Sequence, residues 1–230
     1  MMESLRRLVL IRHAQGSLGS DDYDQLSPVG YIQARHLAEH VDRLAPAAPV
    51  VRGELRRHRQ TADCFGAEVC DIDAGLNEYR VDHLLNAAYA DAARLAIELP
   101  AVEALADPRA YLQTFLDRFP EVLEAWQCGR LRCEMNGLWS AFGARVEAAG
   151  KRLAQRFDQS GTVLSVTSAG VISTLAAHLL ERDLVWQRRL NISLYNASIT
   201  ELHLGRDGRW RAERLNCVDH LPPGELHTLA

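Results

Sequence analysis

The chain has 230 residues and a mass of 25.7 kDa, with 47% hydrophobic and 24% charged residues. That is the composition of a globular protein able to bury a sizeable core, and it excludes a disordered chain, a fibrous repeat and a disulfide-dense miniprotein. A formal net charge of -4 supplies no global basic field for nucleic acid or an anionic membrane, and no stretch approaches the roughly eighteen apolar residues of a membrane span.

Of the basic residues, 25 are Arg and one, Lys151, is Lys. Genome composition suffices to explain the bias, yet Arg is also the side chain that grips phosphate through two parallel hydrogen bonds. The five cysteines (Cys64, Cys70, Cys128, Cys133 and Cys217) form no paired framework, and the Cys128–Cys133 spacing lacks the second pair of a zinc site. The expectation is a soluble, cytoplasmic chain with reduced thiols.

In chain order, Leu8 to Ile11 is a continuous aliphatic run ending at Arg12, the pattern of a buried strand in a parallel sheet. A polar loop runs from Ala14 to Asp24. Ser27-Pro28 then opens a helix as N-cap and first helical residue, with Ile32, Leu37, Val41 and Leu44 as its apolar face. Pro49-Val50-Val51 reads as a second short strand, and Arg57 to Glu68 as a second helix. From Ala87 to about Phe157 the pattern is helical throughout. Thr162 to Thr167 is a clean strand, and Val171 to Leu180 an apolar helix. Two last strands, Ser198–Leu204 and Arg209–Leu215, flank the hairpin-type loop Gly205-Arg206-Asp207-Gly208. Strands alternating with helices predict a three-layer α/β/α sandwich on a mostly parallel central sheet. Residues 1–230 form one domain in this reading, with 83–142 as a helical cap insertion.

Three candidate sites fall where a strand turns into a helix, the edge of an open α/β sheet at which ligands bind. The first strand delivers Arg12 and His13, the second is followed by Arg56 and Arg57, and the third ends at Thr167-Ser168-Ala169-Gly170. Arginines, a histidine and a helix N-terminus at one edge describe an anion pocket.

Leu8-Val9-Leu10-Ile11-Arg12-His13-Ala14 resembles the Arg-His-Gly signature that opens the histidine phosphatase superfamily, the relatives of phosphoglycerate mutase. Further ordered matches are Leu26-Ser27-Pro28-Val29-Gly30 with Gln33-Ala34, the block from Gly53 through Arg57 to Gln60-Thr61-Ala62, Leu76-Asn77-Glu78, and Val166 to Ile172. Asn196-Ala197-Ser198 and His220-Leu221 also have family-like settings. The resemblance implies a metal-independent phosphatase without a cofactor, acting on a small phosphorylated molecule. In it, His13 attacks phosphorus to form a phosphohistidine, Arg12 and Arg57 hold the phosphoryl oxygens, and Glu78 serves as acid and then base. Neither nucleic acid nor membrane is an expected partner, and the sequence leaves substrate identity and oligomeric state open.

Three departures from the family pattern bear on this. Ala14 stands for the usual Gly, Gly53 for Ser, and Ser168 for the second histidine, which donates to the phosphate in the family. A neutral hydroxyl is a weaker donor to an anion, and one lost transition-state donor costs about 10²–10³ in rate. The rate is therefore expected to be weak unless another group fills the gap. His83 is the first substitute considered. His58 is the second, since a residue adjacent to Arg57 on a helix should point some 100° away from it. A phosphate-binding pseudoenzyme and a phosphoglycerate mutase remain the alternatives. Blander readings exist for single residues: His36 and His40, one turn apart, read as a solvated helix face rather than metal ligands, and Asp21, Asp22 and Asp24 as a solvated loop at the mouth of the site rather than a calcium site.

Overall fold

Strand β1 (Arg6–Arg12) leaves solvent at its first residue and is buried from Leu8 onward, as its aliphatic run dictates. The computed structural model describes residues 6–17, 24–66, 70–101, 107–157 and 161–229. Helix α1 (Pro28–Leu44) starts where the Ser27 Oγ accepts the Gly30 N–H, one of the donors a helix start leaves without a partner. Its buried stripe is Gly30, Gln33, Ala34, Leu37 and Val41, whereas Ile32, read as core, is exposed. Strand β2 (Val50–Arg52) leads to α2 (Arg56–Asp63), which ends five residues before the Glu68 of the sequence reading. Strand β3 (Cys70–Ile72) follows and then a 3-10 turn over Ala74–Leu76.

Helices α3 (Val81–Ala90), α4 (Ala92–Leu95), α5 (Pro108–Gln127) and α6 (Trp139–Ala154) make up the helical stretch. After it come β4 (Thr162–Thr167), α7 (Ala169–Leu179), α8 (Leu184–Ser193), β5 (Ile199–Leu204) and β6 (Trp210–Cys217).

The six strands form one sheet in the order β3-β2-β4-β1-β5-β6. The first four strands in that order run parallel, and β5 and β6 join as an antiparallel hairpin on β1. Strand β4 lies between β1 and β2, with Thr167 beside Arg12 and Val166 beside both Ile11 and Arg52. The register brings the carboxyl ends of β1, β2 and β4 to one edge. On one face of the sheet, Val9, Ile11, Leu164, Val166 and Ile199 pack against Ala34, Leu37 and Val41 of α1. Alternation along the strands sends Leu8, Leu10 and Val163, also buried, to the opposite face.

The chain divides into two compact units, Met1–Glu78 with Val146–Ala230, and Tyr79–Arg145. The sheet belongs to the first. The second is held by an aromatic cluster in which Tyr79 meets Phe119, Trp126 and Phe142 at centroid distances of 5.2 to 6.3 Å, and Trp139 stands edge-on to Trp126. The Trp126 indole N–H donates to the Gly137 carbonyl, so its one polar atom is satisfied despite burial. No helix among the described residues is long and apolar enough to cross a membrane.

Candidate active site

His13 follows β1 and continues its pairing, its N–H donating to the Thr167 carbonyl at 2.9 Å. The imidazole is buried at 3% exposure, and its Nδ1 lies 2.8 Å from the Ala14 carbonyl. A carbonyl only accepts, so Nδ1 carries the hydrogen and Nε2 bears the lone pair. The Arg57 Nε–H donates to that Nε2 at 3.2 Å, which confirms the tautomer. Burial first, then the guanidiniums of Arg57 and Arg12 and the ring of His58, hold the His13 pKa well below 6.5. The ring is a neutral base in a cationic setting, an arrangement able to attack an anionic electrophile.

Arg57 is fixed from two sides. Its Nη1 is 2.7 Å from the Asp24 carboxylate, whose other oxygen accepts the Arg56 N–H at the start of α2. Asp24, read from the sequence as part of a solvated loop at the mouth of the site, lies there half-exposed and is also the anchor of Arg57 and an acceptor for the first N–H of α2, a pairing across 33 residues that no local pattern announces. Asp21 and Asp22 lie outside the described residues. Thr61, one turn on in α2, accepts the Ala14 N–H and donates to the Arg57 carbonyl, tying α2 to the His13 loop. Ala14 takes no positive φ, so the backbone there does not require the family's glycine. Arg12, 8% exposed, donates through Nη1 to the Leu194 carbonyl.

At the end of β4, Ser168 occupies the N-cap position of α7, yet its hydroxyl makes no capping bond. Its Oγ lies 2.7 Å from His58 Nε2. The His58 ring is fully buried, 5.6 Å from the His13 ring between centroids. Its pKa too is driven well below 6.5, by burial and then by Arg57 and Arg52. The expectation that His58 points away from the pocket is therefore corrected. Both Arg57 and His58 sit in the first turn of α2, whose N-terminal end faces the site, and helical side chains lean toward that end. Residues on different sides of the first turn converge there.

Glu78 Oε2 accepts the Gly170 N–H at 2.8 Å, placing its carboxylate on the N-terminus of α7. The segment before it is held by the Thr167 hydroxyl donating to the Leu76 carbonyl and by paired amide and carboxylate bonds between Asn77 and Glu54. His83 belongs to the second unit, where its Nε2 faces Asp82 at 3.8 Å with the side chain 38% exposed. His40 is no member of a solvated face, because its ring lies tilted against that of His220 at 5.3 Å with its Nε2 buried. Among the described residues, no group of three His, Cys, Asp or Glu side chains is placed to hold a metal ion.

A model of the histidine phosphatase superfamily (branch 1) matches residues 8–111 and 112–218. The chain belongs to the histidine phosphatase superfamily. Solved structures similar to this superfamily member include a mycobacterial glucosyl-3-phosphoglycerate phosphatase in complex with inorganic phosphate, 24% identical with a TM-score of 0.63 over 94% of this chain and 100% of that one. The α-ribazole phosphatase of Shigella flexneri is 20% identical with a TM-score of 0.63, covering 92% and 96%. A phosphoserine phosphatase mutant of Entamoeba histolytica in complex with phosphoserine is 16% identical with a TM-score of 0.62, covering 94% and 99%. At these identities the likeness is one of fold. Among curated proteins none matches.

Proposed function

We propose that this superfamily member is a metal-independent phosphomonoesterase that acts on a small phosphorylated substrate through a phosphohistidine at His13. The observation that carries the reading is the His13 tautomer: Nδ1 is committed to the Ala14 carbonyl, leaving the Nε2 lone pair among guanidiniums. Nε2 attacks phosphorus as the ester P–O bond breaks, and the departing oxygen takes a proton from Glu78. The Glu78 carboxylate then draws a proton from water, whose oxygen displaces His13 and releases phosphate. Arg57 turns its Nε–H from His13 to a phosphoryl oxygen as substrate arrives, while Asp24 keeps its Nη1 in place. Arg12 and Ser168 complete the donors around the three equatorial oxygens, and the fixed charge of the two arginines supplies what a metal supplies in other phosphoryl transfers.

The test is turnover of para-nitrophenyl phosphate by the purified chain, with and without EDTA, against His13→Ala. The reading expects EDTA-resistant turnover, inhibited by vanadate and lost in the variant. Equal near-zero rates with retained affinity for inorganic phosphate would instead describe a phosphate-binding protein. Loss in EDTA with rescue by zinc or magnesium would overturn the mechanism.

A further inference from the structure

The corner of the site where the family pattern is broken twice holds one compact arrangement. Ser168 Oγ and His58 Nε2 are 2.7 Å apart, both residues are buried, and the hydroxyl leaves its helix-capping role unfilled to make this contact. His58 Nδ1 is buried and has no hydrogen-bond partner. Directly beside it lies Gly53: a Cβ on that residue would fall 2.3 Å from His58 Nδ1 and 2.8 Å from Asn77 Oδ1. The His58 ring thus occupies space that only a residue without a side chain at position 53 leaves open. Gly53 takes no positive φ, so its glycine is required by this close approach rather than by the backbone.

We infer that His58 and Ser168 together form one split phosphate donor, with His58 as the residue that positions the Ser168 hydroxyl and Gly53 as the gap that admits the imidazole. The hydrogen-bond inventory sets the direction. A neutral imidazole carries one hydrogen. On Nδ1 it would be a buried N–H with no acceptor, the rarer kind of unsatisfied group, so it resides on Nε2. Nε2–H then donates to Ser168 Oγ, and the serine hydrogen is left free to point at a phosphoryl oxygen. A donor that itself accepts a hydrogen bond is polarised and donates more strongly. A short hydroxyl backed by a ring in this way does the work of one longer side chain.

This inference rests on the phosphatase reading for its kinetic readout only, and affinity for inorganic phosphate gives a second readout that survives failure of that reading. On kcat/KM for para-nitrophenyl phosphate, Ser168→Ala and His58→Ala are each expected to lose about 10²-fold, and the double variant no more than either one. His58→Gln, whose amide can place an N–H near the same point, should recover most of the loss. A residue that only fills space would not show that recovery, nor the shared loss. Gly53→Ala should cost at least as much as His58→Ala in the wild-type background, and much less once His58 is removed and the Asn77 amide is the one contact left to shift. Ser168→His should be damaging alone, because His58 already stands there, and should regain activity when combined with His58→Ala.

Losses that multiply in the double variant, or His58→Ala at the wild-type rate, would overturn the inference. So would a gain of activity for Ser168→His with His58 still present, or a dead His83→Ala beside an unaffected His58→Ala. If neither wild type nor His13→Ala turns over substrate, the phosphatase reading fails by itself. The same shared loss, read by calorimetry as weaker inorganic-phosphate binding, would then still support the split donor, and independent losses in affinity would still overturn it.

Discussion

Among the described residues two pairs of histidine rings lie close together, and they differ in what surrounds them. His13 and His58 stand 5.6 Å apart at the carboxyl edge of the parallel strands, and His40 and His220 stand 5.3 Å apart on α1 and near the C-terminus. All four have pKa values lowered chiefly by burial, with His220 brought down to about 4. The first pair is wired into Arg57, Ala14 and Ser168, beside Arg12 and the start of α7. Around His40 the nearest charges are of both signs, Arg214 and Arg43 against Asp219 and Glu201. A depressed histidine pKa therefore marks burial. What marks a site is donors converging on one point with a lone pair left among them.

The largest effect expected from that contrast is on turnover. His13→Ala should lower kcat/KM for para-nitrophenyl phosphate by more than about 10³-fold, while His40→Ala and His220→Ala should stay within about twofold. Comparable losses in both pairs would erase the distinction.

Next in size is the arginine clamp. Arg57 uses Nε on His13 and Nη1 on Asp24, two directions that a single ammonium cannot reproduce. Arg57→Lys should lose about 10²-fold in kcat/KM, and Asp24→Asn, which removes the charge and leaves one oxygen where two accept, about tenfold. A near-normal Arg57→Lys would reduce Arg57 to a packing residue.

A smaller effect is expected in the pH dependence of stability. Below about 6.5 an unfolded chain takes up protons at histidine, whereas the folded chain keeps His13 and His58 neutral down to much lower pH. Their contribution is present above 6.5 and is lost as the pH falls toward their folded pKa values. Each fully buried ring can remove up to about 1.4 kcal/mol per pH unit in that window. Denaturant titrations between pH 7 and 5 should show stability falling with acid, and His58→Gln should flatten that fall by about one proton. An unchanged slope in the variant would mean that the folded protein already binds the proton at His58.

The smallest effect concerns the second pair alone. Removing either ring of the His40–His220 pair should lower thermal stability by about 1 kcal/mol.

Much of this was legible in the sequence, for reasons that differ by element. Strand β4 is buried along its whole length, so its apolar run reads directly, and α1 announces itself through Ser27 and Pro28. Strand β3 has three residues with Asp71 in the middle and two of them exposed, so it carries no hydrophobic pattern to read. Helix α8 is likewise silent, with only Gln187, Leu190 and Asn191 buried and a start set by Asp183 accepting the Trp186 N–H. At the site, the ordered motifs point to Arg12, His13, Arg57, Glu78 and Ser168. The helical wheel points His58 the wrong way because it ignores that α2 presents its N-terminal end to the site. Asp24 was invisible because its role exists only once the chain has folded back on α2. The signal that could have found the His58 corner was the coincidence of two departures, a lost side chain at Gly53 and a shortened one at Ser168.

The most direct test of the central assignment is to identify where the phosphoryl group resides during turnover. Acid-sensitive, alkali-stable label from radioactive phosphate monoester, recovered on the His13 peptide and absent from His13→Ala, is the result the account predicts. Label on Ser168 would make His58 the base of a serine nucleophile and contradict the account, as would steady turnover with no phosphorylated protein at any quench time.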